Sequence, residues 1–328
     1  MIFDIHGDIW TDVTIKRGLG RKNIIRNEHL HRFKEGSLYG GIFVIWADPP
    51  YDKNPKARLI ESIKAMSCEL WESRDILKVI YSSDDFYDAL NENKIAVMLG
   101  LEGLSSIEDE IESLYTLYQL GFRHASLTWN EENGLATGVK GDENRGLTKK
   151  GKRVIKIINE LGMILDVSHV NEKTFWDIIN ETEYPFIASH SNAKALCDVP
   201  RNLSDIQIRA IGEKKGLVGL NAFNEFISIE SSNKTIDYYI NHIEHMVNLI
   251  GIDYVALGFD FFDYLESETT DSFTNGGFNS TLGLENITKG KYLINKLSER
   301  GFSEDEINKI SYKNFLNFMD KVLAIKPQ

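Results

Sequence analysis

Eight short apolar runs, each set apart from the next by a longer segment, constrain this chain more than any other feature. They are IFDI (2–5), GIFVIWA (41–47), IAVMLGL (95–101), HASLTW (124–129), MILDVSH (163–169), FIASH (186–190), LVGLNAF (217–223) and VALGFDF (255–261). Strands buried on both faces read as continuous apolar stretches, and such runs alternating with helical patterns indicate βαβ units and a parallel sheet. The intervening segments carry that helical period. Val154, Ile157, Ile158 and Leu161 fall on one face of a helix expected from about Thr148 to Leu161, with Gly162 as its stop. Ser105 and Glu108 have capping-box spacing ahead of Ile107, Ile111, Leu114, Tyr115 and Tyr118. Residues 57–72, 204–214, 235–250 and 303–323 read the same way. The pattern predicts an α/β fold, a single (β/α)8 TIM barrel spanning 1–328. The length suits one such barrel, no stretch resembles a linker, and no G-x-G-x-x-G follows the first run.

Composition narrows the partners. A formal net charge of −12 argues against nucleic acid or an anionic membrane surface and suits a soluble cytoplasmic protein. Two distant cysteines, Cys68 and Cys197, make neither a disulfide framework nor a C-x-x-C motif, and fit a reducing compartment. The opening MIFDIHGDIW lacks the features of a signal peptide, and no run of about 18 apolar residues offers a membrane span.

Residues able to bind metal collect at one end of these runs. His6 and Asp8 stand at and just past the end of the first, and Glu102 follows the third. His169 and His190 end the fifth and sixth, and Asp260 lies near the end of the eighth. In a barrel these ends face one rim, where barrel active sites are built. Residues two apart in an extended chain point the same way, so His6 and Asp8 can reach one ion. Imidazole and carboxylate suit Zn²⁺ and its neighbours; Glu102 has two oxygens and can bridge two ions, and Asp260 can move a proton. Two ions sharing a hydroxide would acidify it and polarise a carbonyl. Each residue alone has a plainer reading. A lone strand histidine is ordinarily a hydrogen-bonded core residue, Glu102-Gly103 can cap a helix, and Asp260 and Asp263 can be loop carboxylates. The joint pattern is what points to a metal centre. His242 and His245 around Glu244 do not make H-E-x-x-H and are expected on a solvated helix face; His29 and His31 lie in a polar, loop-like stretch.

The runs DIHGD (4–8), LEG (101–103), GLTKKGKRVIKIINELGMILDVSH (146–169), IASHSNAKAL (187–196) leading to RNLSD (201–205), GFDFFD (258–263) and ISYKNFLNFM (310–319) together resemble the membrane (renal) dipeptidase family of the amidohydrolase superfamily, whose bacterial members are soluble. The resemblance covers nearly the whole chain. It implies two Zn²⁺ ions, one held by His6, Asp8 and Glu102, the other by Glu102, His169 and His190. It implies Asp260 as acid/base and Arg201 as the group that binds the substrate carboxylate. It also implies a zinc dipeptidase, often homodimeric, acting on small dipeptides with a D-residue accepted at the C-terminal position. Two positions depart from the family. Where its members end a strand Leu-Thr-His, this chain has Leu127-Thr128-Trp129, and where they carry Asn-Phe-Tyr it has Asn221-Ala222-Phe223. Both replace a polar group with an apolar one in the expected pocket, at Trp129 and Phe223. Two other readings are a binuclear amidohydrolase acting on a non-peptide amide or ester, and a ligand-binding barrel with weakened catalysis. The HASLTW run has no lysine to carboxylate as a metal bridge, which favours the dipeptidase branch.

Overall fold

The computed structural model describes residues 1–265, 267–274 and 280–324. Among them, nine strands form one parallel sheet: β1 (Ile2–Gly7), β2 (Leu38–Trp46), β3 (Leu77–Val79), β4 (Ile95–Glu102), β5 (Phe122–Ser126), β6 (Ile164–Asp166), β7 (Ile187–Ala188), β8 (Leu217–Leu220) and β9 (Val255–Leu257). The order β1-β2-β4-β5-β6-β7-β8-β9 follows the chain, with helices between successive strands. The end of the last strand meets the first through Asp260 N to His6 O (3.3 Å) and Phe259 N to Asp4 Oδ1 (2.9 Å). The result is a nearly closed (β/α)8 barrel made from the eight expected runs. β3 is an addition, three residues with a central lysine and too short to leave an apolar signal. It pairs with Ile95–Val97 of β4, along the edge that β5 takes over from Leu99.

Inward-facing residues lie in layers. The floor is apolar: Phe3, Ile5, Ile42, Val44, Met98, Ile164, Ile187 and Ala256 pack with Phe315 and Met319 of the helix Asn314–Leu323, which plugs the barrel from below. Two residues further along the strands the side chains turn polar: His124, Asp166 and Ser189 are fully buried. Glycines make room for them. A Cβ on Gly258 would sit 1.8 Å from the Ser189 carbonyl oxygen, so only glycine lets β9 come this close. Above this polar layer come Trp46 and Glu102, at the ends of β2 and β4.

Most helices match their patterns. Thr148 Oγ1 accepts the Gly151 N–H at the start of Lys149–Leu161, and Gly162 ends that helix in the left-handed region at φ 65°. The capping box expected at Ser105 does not form. Ser105–Ile107 is a single 3₁₀ turn and the helix starts only at Ser113, because the Glu108 carboxylate accepts from Gly134 N at 2.5 Å instead. His242 is not on a solvated face. It is fully buried, taking the Ala193 N–H on Nδ1 (3.1 Å) and facing the Ile227 carbonyl with Nε2 (2.9 Å). His29 is not in a loop either. It lies in a buried π-helical turn, with Nε2 2.7 Å from Asp12 Oδ2. In both cases a polar side chain ties elements together beneath the surface, which periodicity cannot signal. No helix among the described residues is long and apolar enough to cross a membrane.

Candidate metal centre and active site

The rim at the strand ends brings together His6, Asp8, Glu102, His169, His190 and Asp260. Their routes differ. Glu102 shares strand parity with Ala96 and Met98 and so points inward by alternation alone. His6 would point outward by the same rule, since Phe3 and Ile5 are already in the floor. The β1–β2 ladder shifts register between Asp4 and Gly7, and this irregularity turns His6 inward. His169 does not end its strand as expected, whereas Asp260 does lie near the end of the last one. They lie three residues past β6 and β9, at φ 71° and 57°, a left-handed backbone that is uncommon for residues with a Cβ. His190 lies two residues past β7. Gly103, at φ 78°, takes the chain away from Glu102 so closely past Trp129 that a Cβ would be 3.1 Å from its backbone nitrogen. Glu102 therefore does not serve as a helix cap.

The Nε2 atoms of His169, His190 and His6 lie 2.9, 3.4 and 3.5 Å from one atom, Glu102 Oε1. The groups His6–Asp8–Glu102 and Glu102–His169–His190 each present one ligand atom per residue within 4.8 Å of the others. Tautomers follow from the polar layer below. The Ser189 hydroxyl has one proton and donates it to Asp166 Oδ2, so His6 Nδ1 (3.1 Å) and His190 Nδ1 (2.7 Å) must be the donors to Ser189 Oγ. Each then has a bare Nε2 facing the cavity. His169 Nδ1 is 2.9 Å from Asn130 Oδ1 and 3.2 Å from Arg201 Nε. Arg201 Nε–H can only donate, so it meets the His169 Nδ1 lone pair, and His169 Nε2 lies 2.8 Å from His190 Nε2.

These residues suit divalent cations. His6 Nε2 and Asp8 Oδ1 are buried polar atoms without a hydrogen-bond partner, among the described residues, which is costly unless something else meets them. Burial holds all three imidazoles below their usual pKa: His169 and His190 well below, with Arg201 and neighbouring imidazoles adding to it, and His6 less so, because Asp260 and Asp166 oppose the shift; the neutral form is the one that ligates. Burial drives the Asp8 and Glu102 carboxyls well up, followed by repulsion from Glu102 and Asp260 at Asp8 and from Asp260 at Glu102. Asp260 is raised by burial too, and it shares a hydrogen bond with Asp8. A cation among these carboxylates would relieve the repulsion. Burial pushes Asp166 up as well, but its bonds from His124 and Ser189 and the nearby His6 outweigh this and hold it below the usual range.

Asp260 is partly open to the cavity, at 19 % side-chain exposure, with Oδ1 3.9 Å from His6 Nε2 and Oδ2 accepting from Asn221 Nδ2 at 2.9 Å. Asp263 instead pairs with Arg32, away from this cluster. Arg201 reaches the same cavity but is not a surface arginine or a helix cap. It is buried and donates to Ser191 Oγ (3.0 Å) and the His190 carbonyl (2.9 Å), which leaves part of its fork for a ligand. The cavity is about 260 Å³, and Trp129, Phe223 and Lys140 also line it. Ser189, Asp166, Asn130 and Lys140 were not singled out in the sequence. A signal for the first two was present: polar residues interrupting apolar strand runs, directly beside proposed ligands.

The model of the membrane dipeptidase family, peptidase family M19, matches residues 1–328. An uncharacterized protein of Klebsiella pneumoniae, from the pqqA 5′ region, is 33% identical over 255 residues, 75% of this chain and 89% of that protein. An uncharacterized dipeptidase of Schizosaccharomyces pombe is 35% identical over 227 residues, 68% of this chain and 52% of that protein. Two solved structures share the fold. Dipeptidase AC, a metallopeptidase of family M19, superposes with a TM-score of 0.85 at 24% identity, covering 98% of both chains. A metallopeptidase from Rhodobacter sphaeroides, liganded with a phosphinate mimic of L-Ala-D-Ala, gives 0.84 at 23% identity, covering 98% of this chain and 99% of that one. With the family model matched from end to end and relatives above 30% identity over most of its length, this chain belongs to the membrane dipeptidase family, peptidase family M19.

Proposed function

We propose that the protein is a zinc dipeptidase that hydrolyses the amide bond of free dipeptides, including those with a D-residue at the C-terminal position. The observation that carries this reading is the convergence of three imidazole Nε2 atoms on one oxygen of Glu102, beside the unpartnered Asp8 Oδ1. Glu102 is the bridging ligand, His6 and Asp8 complete one position, and His169 and His190 complete the other. Two Zn²⁺ ions held there would acidify a water and polarise the scissile carbonyl. Asp260 is the proton carrier. Its carboxyl is raised by burial and oriented by Asn221, both suited to taking a proton and passing it to the leaving amine.

Arg201 fixes the substrate carboxylate. A guanidinium already braced by Ser191 and the His190 carbonyl loses little freedom on binding, and its planar fork matches a carboxylate. Anchoring the carboxylate at a set distance from Glu102 makes the site a ruler for two residues. Trp129 and Phe223 form apolar walls where relatives carry polar groups, so those groups' contributions to rate are absent. Metal analysis followed by a dipeptide panel in both stereochemistries tests the reading. Two equivalents of zinc with turnover of free dipeptides is the expected result. A metal-loaded protein that leaves every dipeptide intact refutes it.

A further inference from the structure

One side of the cavity is a continuous aromatic wall. Trp46 and Trp129 lie 4.8 Å apart between ring centroids, and Phe273 approaches them at 6.0 and 6.3 Å. Phe273 also meets Phe262 and Phe223 at 5.2 and 6.5 Å, and those two are 5.2 Å apart. The four pairs made by Phe273 cross at 64–89°, so the rings brace one another edge to face. They come from the end of β2 and the loops after β5, β8 and β9, and all five line the same cavity as Glu102 and Arg201. Trp46 and Phe223 are buried; Trp129, Phe262 and Phe273 keep part of their surface open.

A braced wall of this kind is ordered before ligand arrives, so apolar contact with it carries little ordering cost. Apart from the indole N–H groups of Trp46 and Trp129 it offers no hydrogen-bonding group, so a charged or hydroxylated side chain lying on it would lose water with little replacement. Besides the carboxylate cluster, His169 and Arg201, which serve the peptide backbone and its terminal carboxylate, the polar residues lining the cavity are Asn130, Lys140 and Glu225, and none of them belongs to the wall.

We propose that this aromatic box makes the enzyme selective for dipeptides carrying a large apolar or aromatic side chain, over those with only small or charged ones. The proposal rests on the dipeptidase reading above and names the substrate class of that site. Its test is a zinc-loaded enzyme assayed on paired dipeptides, alanine against phenylalanine, leucine, aspartate and lysine at each position and in both stereochemistries. The expected kcat/KM for the best Phe or Leu dipeptide exceeds that for Ala-Ala by about 10- to 100-fold, from burial of one large apolar side chain. In Phe273→Ala and Phe262→Ala that ratio should fall about tenfold or more. Calorimetric binding of phosphinate dipeptide mimics with Phe or Ala side chains should show the same preference without turnover. Equal or better use of small or charged dipeptides by wild type overturns the box while the dipeptidase reading stands. A ratio unchanged in both variants overturns it equally. If no dipeptide is cleaved and no mimic binds, the dipeptidase reading itself fails and takes the box with it.

Discussion

Ser189→Ala should disable the metal centre without touching a ligand. Ser189 Oγ is the shared acceptor for His6 Nδ1 and His190 Nδ1 and donates to Asp166. Deleting it leaves two imidazole N–H groups buried with no acceptor, at about 1–3 kcal/mol each. Asp166 loses less, because its Oδ1 keeps the backbone N–H bonds of Ser168 (2.8 Å) and Ser189 (3.0 Å). The rings can relieve part of the cost only by rotating, which carries Nε2 away from Glu102. The net expectation is about 2–4 kcal/mol lost from folding stability, with affinity for both ions falling about 10- to 100-fold, the usual effect of losing a ligand's supporting bond. Urea unfolding of the metal-free protein measures the first; chelator competition measures the second. Ser168→Ala is the control: its hydroxyl lies 3.4 Å from Ser189 Oγ and accepts only from His190 N, so its effect on the metals should be smaller. Wild-type affinity for both ions in Ser189→Ala would refute the argument that this hydroxyl sets the tautomers.

Glu102→Gln should weaken both ions together, because it removes charge from the shared ligand; loss of only one ion in metal titration would end the bridging role. Asp260→Asn should cut kcat by about 10²- to 10⁴-fold while metal content holds, and a variant that loses metal would mark Asp260 as a ligand instead. Arg201→Met should hurt every substrate through the lost brace on His190 and, beyond that, cost free dipeptides about 1.5–3 kcal/mol more in kcat/KM than dipeptide amides; equal losses would rule out the carboxylate anchor. Burial holds His242 down to about 4, so it is neutral when folded and takes up a proton below about pH 6.5 when unfolded. Its contribution is therefore full above that pH and drains away as pH falls toward 4, by about 2 kcal/mol between pH 7 and pH 5. Urea titrations of metal-free wild type and His242→Gln at both pH values should show the difference, and parallel pH dependence in the two proteins would exclude His242 as its source.

The barrel was legible in the sequence because its strands are buried on both faces, and eight such runs leave little choice of architecture. The proposed ligands were legible because they stand where those runs stop. What the sequence did not show is how each ligand is aimed. His6 depends on a register shift, and His169 and Asp260 on left-handed backbone at residues with no glycine to announce it. The burial of Arg201 did not show either, since it comes with contacts to Ser191 and the His190 carbonyl that are made only in three dimensions. The aromatic box was half visible. Trp129 and Phe223 stood out as departures from the family pattern, whereas Trp46 ends β2, Phe262 and Phe273 follow β9, and all three meet the others only in three dimensions.

The seam between the last strand and the first bears on the order of events during synthesis. Asp4 grips Phe259 across 255 residues of chain, and Asp260 meets His6 at the same seam. In the order of synthesis, His6 and Asp8 precede the strand that brings Asp260 beside them by most of the barrel. Contacts so distant in sequence form slowly, because the intervening loop must be closed before they give any return. His6 and Asp8 therefore wait for the later strands before the wall that completes their surroundings exists, and an unclosed barrel cannot present the full cluster.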